Sequence, residues 1–126
     1  MKRLESQLQI ACVKWLRLQH PHLAPFLFAI PNGGARSAVT GAILKAEGVR
    51  RGVADLFLMV STDKYHGLFI EMKVAKGRQS PEQLAFEADC AIKRYSYALC
   101  RTFEEFRYAV ESHVNGHGLE NSYHKA

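Results

Sequence analysis

At 126 residues, 48% hydrophobic and 23% charged, the chain reads as one globular α/β domain with enough length to bury a core. No apolar run approaches the ~20 residues that cross a bilayer, and Glu5, Gln7 and Gln9 interrupt any signal-peptide core, so membrane insertion and secretion are not expected. A net charge of +5 favours a polyanionic partner.

From Arg101 onward three basic residues face four acidic ones, so the positive excess lies in the first 100 residues. It clusters at Arg36, Lys45, Arg50 and Arg51, and again at Lys73, Lys76 and Arg78. Cys12, Cys90 and Cys100 show neither disulfide nor zinc spacing, which predicts three small apolar thiols in a reducing compartment.

The first predicted element is an amphipathic helix over 4–19. At about 100° per residue, Cys12 and Leu16 fall beside Glu5, with Leu4, Leu8, Val13 and Trp15 as flanks. Glu5 therefore lies inside the apolar arc, in the first turn. That placement suits a solvated carboxylate favoured by the helix dipole, and equally an acid aimed inward.

FLFAI (26–30) predicts a short strand, and PNGG (31–34) a turn. A helix is expected over 37–47, ending at Gly48. ADLFLMV (54–60) and LFIEMKV (68–74) form the two arms of a predicted β-hairpin. SPEQLAFEADCAIKR (80–94) opens with Ser80 as N-cap, Pro81 at the first helical position and Gln83 in a capping box. YSYALC (95–100) is a strand and 102–114 a closing helix capped by Thr102, with a loose polar tail after it.

The hairpin carries the chemistry. Strand alternation puts Leu68, Ile70, Met72 and Val74 on one face, and Phe69, Glu71 and Lys73 on the other. In one register Asp55 lies across from Glu71, Phe57 from Phe69 and Met59 from Gly67. Any even register keeps both acids on one face. Opposed carboxylates with β-carbons ~5 Å apart repel each other unless a proton or cation lies between them. Mg²⁺ or Mn²⁺, which prefer oxygen ligands, would relieve that repulsion, with Lys73 beside them to face developing phosphate charge. A surface salt bridge is the plainer alternative, but these strands are too apolar to suggest a wet face.

GVADL (52–56), GLFIEMK (67–73) and GRQSPEQ (77–83), with ESQLQ, IPNGG and YALCRTFEEF, resemble the VRR-NUC domain, a branch of the PD-(D/E)xK nuclease superfamily. The likeness runs from Glu5 to about Phe106. It implies a restriction-endonuclease-like core with a small mixed sheet flanked by helices. The nuclease domain would cover 1–113 and the tail 114–126. By that resemblance Asp55, Glu71 and the Met72 carbonyl are metal ligands for Mg²⁺ or Mn²⁺, and Lys73 is the catalytic lysine. Glu5 completes the site, directly or through water. Gln83, and with it Gln9, matches glutamines that orient water or phosphate, while helix capping explains Gln83 equally well. Where the family carries a proline before the aspartate, this chain has Ala54.

The resemblance further implies a homodimer that cuts branched DNA such as four-way junctions, in the cytoplasm of a bacterium or a phage-infected host. Asn32, Gly33 and Gly34 are candidates to offer backbone N–H groups to DNA phosphate, with a purely structural turn as the alternative, and Arg36, Arg50, Arg51, Lys76 and Arg78 are candidate phosphate contacts or else solvated surface charges. Two rival readings are a non-catalytic DNA-binding module and a nuclease subunit of a larger restriction or replication complex.

Overall fold

The computed structural model describes residues 2–31 and 38–115. Helix α1 (Lys2–Gln19) is followed by a 3-10 turn (Ala24–Phe26), strand β1 (Leu27–Ala29) and helix α2 (Ala38–Ala46). Strands β2 (Leu56–Leu58) and β3 (Leu68–Met72) come next, then α3 (Pro81–Ile92), β4 (Ser96–Cys100) and α4 (Phe103–Val114). The sheet has the order β1-β2-β3-β4. Its first two pairings are antiparallel and β3–β4 is parallel, with α3 as the connection that a parallel pair requires. This is the mixed sheet flanked by helices that the motifs imply.

Register follows the hairpin expectation residue by residue. Leu56 pairs with Ile70, Phe57 with Phe69 and Leu58 with Leu68. β2 is shorter than the apolar run, which leaves Asp55 just outside its first residue. Its carbonyl still accepts from the Ile30 N–H at 2.8 Å, so the backbone there remains tied to the neighbouring chain.

The alternating faces pack differently. Leu56, Leu58, Leu68, Ile70, Met72, Ala98 and Cys100 form the main core with Cys12 and Leu16 of α1 and Phe106, Ala109 and Val110 of α4. On the opposite face Phe69 and Tyr97 pack with Phe86 and Cys90 of α3 and with buried Ala54. All three cysteines are buried free thiols, each with its pKa raised by burial. Trp15 stacks edge-on against Phe103 and Phe106, as a core residue does.

Several expectations shift. Leu4 is exposed and does not flank the core arc. Helix α2 ends one residue earlier than expected, with Ser37 outside the described residues, and Gly48 follows it at φ +101°, the left-handed conformation of a C-terminal cap. Val114 still belongs to the last turn of α4 and packs on the core, one residue past the boundary expected for the tail. The PNGG turn, from Asn32 on, and residues 116–126 lie outside the described residues.

His113 is buried, and its Nε2–H donates to the Val60 carbonyl at 2.6 Å. Burial lowers its pKa below the ordinary 6.5, so the folded chain keeps the ring neutral. A depressed folded pKa means stability that is present above pH 6.5 and lost as pH falls below it. Thermal melts between pH 7 and pH 5 should therefore show Tm falling, with a shallower slope in His113→Gln.

Candidate active site

The site lies where β2 begins and β3 ends, and its construction starts from the hairpin register. With Phe57 opposite Phe69, the next non-core positions are Asp55 and Glu71. Asp55 turns its Oδ2 onto the Met72 N–H at 2.7 Å, a bond that joins the end of β3 to the chain entering β2. An extended residue projects its N–H and C=O to the same strand edge, so the Met72 carbonyl leaves β3 on the Asp55 side.

Glu71 is only 2% exposed. Its Oε2 accepts from Gln83 Nε2 at 2.8 Å and stands 3.9 Å from Lys73 Nζ. Its Oε1 is buried with no hydrogen-bond partner. Burial, and then the negative charge of Asp55, push the Glu71 carboxyl up to about 8, while Lys73 pulls the other way. Asp55 is also raised, by burial above all. Near neutral pH the pair thus holds a proton that two acids in water would release.

Such a pair suits a divalent cation. The cation would replace the pair's proton, use the orphaned Oε1 and find a third oxygen at the Met72 carbonyl. Among the described residues no three acidic, histidine or cysteine side chains form a ready-made cage. Glu5 stands outside the pair. Half-buried in the first turn of α1, it places Oε2 3.7 Å from where a β-carbon on Gly77 would sit, and its charge raises the Glu71 pKa. The inward-aimed reading of Glu5 fits this position.

Gln83 caps α3 as its sequence context suggests, and its amide also reaches Glu71. Its Oε1 accepts from the Ser80 N–H at 2.8 Å while Ser80 Oγ accepts from the Gln83 N–H at 3.1 Å, completing the capping box. The cap orients the amide so that Nε2 is free for Glu71. Gln9 lines the groove beside Glu5 and Asp55.

Three supports escape sequence reading. Gly52 has φ +91°, and a β-carbon there would come within 2.5 Å of the Glu82 backbone in α3. The chain leading to Asp55 can therefore lie against the first turn that carries Gln83. Gln79 Nε2 donates to Glu87 Oε1 at 2.9 Å and Tyr97 Oη at 3.2 Å, bracing the segment after Lys73. Arg101 Nη1 donates to the carbonyls of Ala75 (3.1 Å) and Gly77 (2.7 Å), holding the turn between Lys73 and α3. Gly52 and Gln79 stand within the quoted motifs, which signalled importance but no role. Arg101 likewise stands within YALCRTFEEF, which gave no hint that its guanidinium ties down the turn after Lys73.

The candidate phosphate contacts are less uniform. Arg51, Lys76 and Arg78 are exposed, the last two flanking Gly77 beside Glu5. Arg50 is engaged by Asp89 at 2.7 Å and lies over the Phe86 ring, 5.3 Å from its centroid. Asn32, Gly33, Gly34 and Arg36 lie outside the described residues.

The model of the VRR-NUC domain family matches residues 3–104. The chain belongs to the VRR-NUC family. Membership implies a nuclease of the PD-(D/E)xK type. A solved structure described as a VRR_NUC domain protein shares the fold, with a TM-score of 0.78 at 21% identity, covering 89% of this chain and 88% of that one. No curated protein matches significantly.

Two outcomes test how this VRR-NUC site is built. Gly52→Ala should cost at least ~1–3 kcal/mol from the left-handed backbone alone, with the clash added, and chemical denaturation would measure it. Glu71 has a folded pKa raised above the ordinary 4.5, so its favourable contribution is present below that pH and lost as pH rises through about 8. In EDTA, Tm should fall between pH 6.5 and pH 8.5 for the parent, and Glu71→Gln should flatten that fall.

Proposed function

We propose that this VRR-NUC protein is a divalent-cation-dependent endodeoxyribonuclease that acts as a homodimer on branched DNA. The observation that supports this reading best is the buried Asp55/Glu71 pair, with one carboxylate oxygen unpartnered and Lys73 alongside. A structural role gives no reason to hold two acids together in so dry a place.

Asp55, Glu71 and the Met72 carbonyl would hold Mg²⁺ or Mn²⁺, which supplies Lewis acidity and a lowered pKa for water. Lys73 places a positive charge where the attacking water meets phosphorus and where charge grows on the phosphoryl oxygens. The water oxygen bonds to phosphorus, the P–O ester bond breaks, and the departing oxygen takes a proton to leave a free hydroxyl. Gln83 keeps Glu71 in one orientation throughout, and Glu5 borders the water side of the site.

A single subunit has little surface for a branched duplex. Two sites related by a two-fold axis would suit paired cuts in a four-way junction. The exposed Val39 and Ile43 of α2 give the monomer apolar surface to cover by pairing.

Labelled linear, flap and four-way-junction DNA incubated with Mg²⁺, Mn²⁺ or EDTA tests the reading, with sedimentation for the dimer. Cleavage should need the metal and favour junctions. Lys73→Ala and Asp55→Asn should each lose at least about 100-fold in rate with Tm within a few degrees of the parent. Cutting at the parent rate by either variant would remove that residue from the mechanism. DNA binding without nicking would leave a non-catalytic binding module, and cleavage only with added partners would make the protein a subunit.

A further inference from the structure

A groove of about 680 Å³ runs from the acidic site along α1, with Glu5 and Asp55 at one end and Arg17 and Leu18 at the other. Glu5, Gln9, Val13 and Arg17 are spaced four apart, and Ser6, Ile10, Lys14 and Leu18 form the adjacent row. Each four-residue step turns about 40° past a full helical turn, so the rows begin beside the acids and wind outward into solvent. From Glu5 to Arg17 the helix rises about 18 Å, some five nucleotide steps at ~3.4 Å each.

The side chains change character along that path. Acidic groups stand only at the site end, and the far half carries Lys14 and Arg17. Three other arginines are committed elsewhere: Arg50 to Asp89, Arg107 to Glu111, Arg101 to backbone carbonyls. Neither Lys14 nor Arg17 meets an acidic partner among the described residues, and both are exposed. Beside them Ile10 is 64% exposed and Leu18 74%, apolar surface that the fold leaves uncovered.

Resting on the nuclease reading, we propose that this groove seats the DNA strand on one side of the scissile phosphate. Lys14 and Arg17 are its phosphate contacts, and Ile10, Val13 and Leu18 form the apolar floor on which bases lie. Continuity with the acids that face the reacting phosphate favours a nucleic-acid strand as occupant. The two unpaired cations complement its charge. A second copy of the chain would need acidic groups opposite them.

The test measures binding apart from cleavage. Fluorescence anisotropy in EDTA compares single-stranded and flap DNA on the parent, on Lys14→Ala/Arg17→Ala, and on Lys64→Ala/Lys93→Ala, which loses the same charge elsewhere. The groove variant should bind at least tenfold more weakly. Its slope of log K against log salt should shrink by about 1.5, as two lost phosphate contacts require. The control should stay within twofold of the parent. In Mn²⁺ the groove variant should raise KM with kcat nearly unchanged.

Equal affinity and slope in the two variants would overturn the groove assignment while leaving the nuclease reading intact. Groove-dependent binding by a parent that never cuts would support the groove and remove the nuclease. A groove variant that loses dimerisation with its salt slope unchanged would mean that a second copy fills the groove, and would overturn the proposal.

Discussion

Asp55 and Glu71 face each other across the β2–β3 pairing, and the order of the surrounding parts follows from keeping them there. Repulsion between two carboxylates is modest in water and large where burial removes the water. The fold holds the pair with a backbone N–H from Met72 on one acid and an amide from Gln83 on the other. Each of those groups belongs to a different piece of local structure. The acid pair is therefore a point at which sheet register, helix capping and loop conformation must agree.

The layered architecture explains why this end of the sheet hosts the site. α1 packs on one face with α4, while α3 packs on the other. Both α1 and α3 bring their first turns towards the end of β3, carrying Glu5 and Gln83. Helix N-termini favour negative charge, so two of them offset part of the cost of clustered acids and of a phosphate arriving there. The core beneath is ordinary close-packed Leu, Ile, Phe and Cys, which fixes the strand ends without taking part in the chemistry.

Gln83 and Gly52 illustrate how closely the two helical layers are coupled to the hairpin. Gln83 uses one end of its amide to close a helix and the other to orient Glu71, so a single rotamer satisfies both. Gly52 lets the chain before Asp55 approach the same helical turn more closely than any side chain would permit. Arg101 plays a similar part from β4, tying down the turn that follows Lys73. Ala75, in the same turn, takes φ +47°, and Arg94 between α3 and β4 takes φ +65°.

Much of this was legible in the residue order because it depends on short periods. Two-residue alternation separated core from site face and kept Asp55 and Glu71 on one face in any even register, while the pairing of Phe57 with Phe69 fixes which register the chain takes. The capping box of Ser80 and Gln83 is a four-residue pattern, and the burial of Cys12 and Leu16 follows from the helical period. What residue order could not decide depends on contacts between distant segments. Whether Glu71 is dry, whether Gln83 reaches it, why position 52 must be glycine, and that Arg50 is held by Asp89 are all set by how α3 docks on the sheet. Periodicity says which face a side chain takes, but only the packed fold says what meets it there, because burial and charge coupling arise from atoms brought together by the chain's three-dimensional path.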